Sequence, residues 1–97
     1  MHARIMHVTM KPERIDEARA LWPKTTATFK ASGLRAGYML LIDRDAGKIL
    51  SVTIWDSMES IKANEDNPDL KEAMKPFQEF FSADPWSEYA EVGAFVE

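Results

Sequence analysis

Ala36-Gly37-Tyr38-Met39-Leu40-Leu41-Ile42-Asp43, the turn Arg44-Asp45-Ala46-Gly47, and Lys48-Ile49-Leu50-Ser51-Val52-Thr53-Ile54-Trp55 form the stretch whose reading decides the fold. Turn-forming residues between two apolar, partly β-branched runs predict an antiparallel hairpin. Successive residues of a strand point to opposite faces. Tyr38, Leu40 and Ile42 therefore oppose Met39 and Leu41, while Leu50, Val52 and Ile54 oppose Ile49, Thr53 and Trp55. The hairpin is apolar on both faces, so both must be covered.

Upstream of the hairpin, residues 2–10 alternate as a strand, with Arg4, Met6, Val8 and Met10 on one face and Ile5, His7 and Thr9 on the other. Pro12 suits the first position of a helix, acids at Glu13, Asp16 and Glu17 suit its dipole, and Gly33 suits its end. Ile15, Ala18, Trp22 and Phe29 recur every three or four residues, predicting one amphipathic helix over 12–32, bent at Pro23. Downstream, Asp56 and Glu59 have capping-box spacing and predict a helix over 57–66. Asn67-Pro68 starts another that ends at Pro76, and residues 86–97 form a last strand. The order β-α-β-β-α-α-β is an α+β, ferredoxin-like split βαβ sandwich with an antiparallel sheet, one domain over 1–97. Its helices cover one face, and burying each Val- or Leu-sized side chain on the other gains roughly 1.5–3 kcal/mol. A homodimer, sheet against sheet, is the expected partner arrangement.

Composition narrows the function. Twelve basic and sixteen acidic residues give a net charge of −4, with the basic ones scattered, so no nucleic-acid partner is expected. The absence of cysteine removes disulfides, thiolate metal sites and cysteine nucleophiles. His2 and His7, five residues apart in a strand, face opposite ways, and no metal site is expected. No apolar run reaches about 20 residues and the N-terminus lacks a basic segment followed by an apolar stretch, so neither a membrane span nor a signal segment is expected, and a cytoplasmic location is expected.

The residues also resemble a known family. Met10-Lys11-Pro12-Glu13, Gly33, Asp45-Ala46-Gly47-Lys48 and above all Ser51-Val52-Thr53-Ile54-Trp55-Asp56-Ser57-Met58-Glu59 resemble antibiotic biosynthesis monooxygenase-like domains of the dimeric α/β-barrel superfamily. That resemblance covers nearly the whole chain and implies dimerisation into an α/β barrel, with a pocket in each subunit between helices and sheet. It further implies cofactor-independent monooxygenase chemistry, in which O₂ oxidises a small apolar aromatic or quinol-like molecule. Trp55 stands where the polyketide-oxidising branch has a tryptophan that stabilises the intermediate. Four positions earlier that branch's asparagine corresponds to Ser51, and six positions later its tyrosine corresponds to Ile61. Counted against the haem-degrading branch, a helix tryptophan falls at Asn64, the haem-ligating histidine at Met74 and a first-strand asparagine at Met6. On this count the haem ligand and the tryptophan of that branch are both missing, so haem is not expected, nor is any other cofactor.

The resemblance and the residue chemistry together nominate Trp55, Ser51, Tyr38 and His7 for catalysis, and Met6, Arg4, Ile61, Asn64 and Met74 for contact with a small organic molecule. Each has a structural alternative. Trp55 closes an apolar strand and fits the core. His7 offers an imidazole suited to proton abstraction, yet its parity puts it on the dimer side. Arg4 could pair with an anionic substrate or with a carboxylate of the chain. Tyr38 could donate to a phenolate or pack with its hydroxyl in water. The acids Glu65, Asp66, Asp69 and Glu72 read as a solvated face, with Asp69 and Glu72 at a helix start. A non-catalytic small-molecule-binding or stress-response dimer remains the alternative function.

Overall fold

The computed structural model describes residues 1–97. The chain runs β1 (His2–Thr9), a 3-10 turn at Pro12–Arg14, α1 (Ile15–Ala27), a 3-10 turn at Lys30–Ser32, β2 (Leu34–Asp43), β3 (Lys48–Trp55), α2 (Met58–Glu65), α3 (Pro68–Gln78) and β4 (Trp86–Glu91). The four strands lie in the order β2-β3-β1-β4, and every neighbouring pair is antiparallel. β3 therefore sits between β1 and β2, the split βαβ arrangement of an α+β ferredoxin-like fold.

The hairpin forms as expected and extends further, beginning at Leu34. Its turn depends on Gly47, whose φ of 72° is left-handed and whose carbonyl accepts from Met10 N at 2.8 Å. A Cβ added there would lie 1.9 Å from Met10 O, so no side chain fits.

Several boundaries differ from the sequence expectation. β1 stops at Thr9, and Met10 makes an isolated bridge to Phe81. The first helix is not one bent rod over 12–32. Its α-helical part runs through Pro23 and ends at Ala27, and a separate 3-10 turn leads to Gly33 at φ 103°. Pro23 removes only one backbone hydrogen bond, and the packed residues on either side hold the helix across it. Pro76 likewise does not end α3, because Phe77, which is 2% exposed, anchors the final turn in the core. Ser57 rather than Asp56 caps α2, accepting from Ser60 N at 3.1 Å, while Asp56 pairs with Arg35. β4 ends at Glu91 instead of reaching residue 97. Beyond it Val92 N bonds Met1 O, and Val96 is exposed, so the last residues have no strand to pair with.

All the helices lie on one face of the sheet. Val8, Met10 and Ile49 from that face form the main core with Ile15, Ala18, Phe77 and Phe80. A smaller cluster joins Leu34, Trp55 and Ile61, with Phe29 and Met58 against it. The opposite face is open: Tyr38 is 50% exposed, Ile42 59% and Trp86 57%. No helix is long and apolar enough to cross a membrane.

Candidate functional site

The helix-covered face holds a crevice whose centre is Trp22. Gly37 leaves room for the indole on β2, since a Cβ there would come within 3.0 Å of the Trp22 ring. Ser51, small and on the adjacent strand, then receives the indole: Trp22 Nε1 donates to Ser51 Oγ at 3.1 Å. This bond occupies an acceptor site of the hydroxyl and leaves its O–H as a donor. Around the pair stand Met6, Met39, Met74 and Phe81, enclosing a space of about 20 Å³. That space suits a water molecule and little more.

A groove of about 350 Å³ shares Met6, Met74 and Phe81 with the crevice and opens between β1 and α3. Its rim is charged. Arg4 Nε lies 3.0 Å from Glu65 Oε2, the oxygen to which Tyr89 also donates its hydroxyl hydrogen. Lys62 Nζ stands 3.6 Å from the other oxygen of Glu65 and lies over the Tyr89 ring. The Arg4 Nε is buried, and its angle to Glu65 does not make a hydrogen bond.

The nominated residues separate into three groups. Ser51, Met6 and Met74 line the crevice, and Arg4 stands at the groove it shares. Trp55 and Ile61 lie in the smaller core cluster instead, the Trp55 Nε1 donating to Thr53 Oγ1 at 2.9 Å and Ile61 only 1% exposed. Asn64 is also buried, where its amide donates to Ser60 O at 2.9 Å and Ser32 O at 3.3 Å, tying the turn before β2 to α2. Tyr38 and His7 are on the open face. His7 stacks on Trp86 with ring centroids 3.8 Å apart, and its Nε2 is 3.1 Å from Glu88 Oε2. The sheet thus keeps Tyr38 and His7 from meeting Ser51, because the strand alternation puts them on opposite sides of the backbone. Trp22, which its helical spacing placed among the apolar residues facing the sheet, was not nominated for the site and proves to line the crevice. Its signal was available in part: Gly37 and Ser51 are small residues on adjacent strands of an otherwise bulky hairpin.

No three His, Asp or Glu side chains converge closely enough to hold a metal ion. The crevice and groove together have apolar walls, one neutral hydrogen-bonding pair and a charged rim.

The family model for antibiotic biosynthesis monooxygenases matches residues 1–76. The chain belongs to that family. Among solved structures, an antibiotic biosynthesis monooxygenase-type protein of Bordetella bronchiseptica superposes with a TM-score of 0.82 at 15% identity, covering 96% of this chain and 97% of its own. The corresponding protein of Caulobacter crescentus gives 0.80 at 16% identity, over 96% and 90%. A mutant of SnoaB, a cofactor-independent oxygenase from Streptomyces nogalater, gives 0.77 at 10% identity, over 98% and 95%. Likeness at these identities is likeness of fold, a monooxygenase-type fold. No curated protein matches the chain.

Proposed function

We propose that this family member is a cofactor-independent oxygenase that acts, as a homodimer, on a small apolar aromatic phenol or quinol. The observation that carries this reading is the Trp22–Ser51 hydrogen bond in an otherwise apolar crevice. A phenol with hydrogen para to its hydroxyl loses its proton to solvent at the groove mouth. The phenolate supplies the electrons, O₂ adds at the para carbon, and the resulting peroxide loses water to leave a quinone. Both oxygen atoms are accounted for, one in the quinone and one in the water. The Ser51 O–H, free to donate, stabilises the oxygen-centred anion, and the low-dielectric walls strengthen that bond. Entry of a ring requires the crevice to widen. The flexible side chains of Met6, Met39 and Met74 suit that adjustment.

Dimerisation is supported by the open face, where Tyr38, Leu40, Ile42 and Trp86 are exposed together on one sheet. In this reading His7 and Tyr38 belong to the interface and not to the chemistry. One observation favours a second reading, a binding protein without catalysis: the enclosed space of about 20 Å³ is smaller than a phenol ring.

Oxygen uptake with a panel of naphthols, hydroquinones and anthrones tests the proposal. Uptake above buffer is expected, falling on the order of 100-fold in Ser51→Ala if that donor acts on the developing anion. Trp22→Phe is expected to lower it as well, and Trp55→Phe to leave it unchanged. A loss confined to Trp55→Phe would return the chemistry to the position implied by the family resemblance. Uptake equal to buffer across the panel would leave the binding reading in its place.

A further inference from the structure

The groove rim is cationic in a chain whose net charge is −4. Glu65 is its only carboxylate, and that one group is shared among Arg4, Tyr89 and Lys62. Lys71 lines the same groove from α3 and has no acid within salt-bridge distance. Arg4 is oriented by its neighbours, yet its buried Nε lacks a hydrogen-bond acceptor. Two cations therefore border one apolar groove with a single, already engaged counter-charge. Below them the walls are Met6, Met74 and Phe81, surfaces that favour an aromatic ring through thioether and ring-edge contacts.

We infer that the groove between β1 and α3 selects an aromatic carboxylate, its acid group held by Arg4 and Lys71 and its ring lying toward Met6, Met74 and Phe81. This rests on the reading of the crevice as a small-molecule site and specifies its ligand: a hydroxylated aromatic acid in place of a neutral phenol. Arg4 supplies a planar fork suited to a carboxylate, and Lys71 a mobile point charge at the entrance. The arrangement also fixes direction, because the acid stays at the rim while the far end of the ring points to Ser51.

The test compares 6-hydroxy-2-naphthoate with its neutral methyl ester, which keeps the same ring and phenol. Titrations follow the methionine methyl signals of protein labelled with methyl-¹³C methionine. The acid is expected to shift Met6 and Met74, to leave Met58 in the smaller core cluster unmoved, and to bind about tenfold tighter than the ester. Lys71→Gln, at an exposed position, should weaken the acid on the order of threefold and leave the ester unaffected. Raising the salt concentration should narrow the difference between the two ligands. Equal affinity for acid and ester would overturn the inference while leaving the small-molecule reading standing. Neither ligand moving Met6 or Met74 would overturn both.

Discussion

One face of the sheet presents Val8, Met10 and Ile49 to helices that bury them, while the other presents Tyr38, Leu40, Ile42 and Trp86 to solvent. The two faces are similar in apolar character and unlike in what covers them. Their polar residues differ too. On the covered face Ser51, Thr53 and Arg4 each have a named side-chain partner in Trp22, Trp55 and Glu65. On the open face His7 and Glu88 pair with each other at the surface, beside a shallow depression of about 530 Å³. The difference teaches that apolar content does not assign burial; the number of elements available to pack does. A chain with helices for one face leaves the other open, and in the proposed dimer a second copy covers it.

The sharpest way to break this comparison is to empty the covered face. Ile15→Ala, at a side chain 1% exposed, should cost about 2–5 kcal/mol in urea unfolding, the same at every protein concentration. A loss that varied with concentration would tie that core to association. On the open face, Leu40→Glu should leave monomer folding intact and weaken the dimer by about 2 kcal/mol, roughly thirtyfold in Kd. Sedimentation reads that difference, and a wild-type mass of one subunit at micromolar concentration would refute the dimer.

Smaller effects sharpen the same contrast. Ser51→Ala leaves the Trp22 N–H without its acceptor and should cost about 1 kcal/mol, a fall in Tm of roughly 4–8 °C for a domain of this size. An unchanged Tm would mean that the Trp22 N–H finds another acceptor. Smallest of all, Lys75→Gln removes a surface pair with Glu72, 2.8 Å apart and largely exposed on both sides. It should change stability by less than about 0.5 kcal/mol, and a larger loss by thermal unfolding would assign α3 a structural charge network.

Much of the fold is legible in the residues. Alternation in β1, β2 and β3 shows which side chains share a face, Gly47 marks the turn, and Asn67-Pro68 marks the start of α3. Element ends are less legible because packing overrides local signals: Phe77 carries α3 past Pro76, and Ser57 displaces Asp56 as the cap of α2. The nominated site residues divide according to which part of the helix layer packs over them. Arg4, Met6, Ser51 and Met74 meet across the crevice and its groove, whereas Trp55, Ile61 and Asn64 pack between sheet and α2. Ser51 and Trp55 share a face of β3, but their polar groups are taken by different partners: Ser51 Oγ accepts from Trp22 Nε1, and Trp55 Nε1 donates to Thr53 Oγ1.

By itself, the sequence determined the alternation of the strands, the order of the elements and the excess of apolar surface over helices able to cover it. These follow from side-chain periodicity and counting, which need only neighbours along the chain. Only the tertiary structure decided that Trp22 meets Ser51, that Glu65 is shared among Arg4, Tyr89 and Lys62, and that Lys71 is left without an acid. Apart from the i,i+3 pair Lys62–Glu65, those contacts join residues 24 to 61 positions apart, and their geometry depends on how helices seat on the sheet, a matter of side-chain volume and shape that no local pattern encodes.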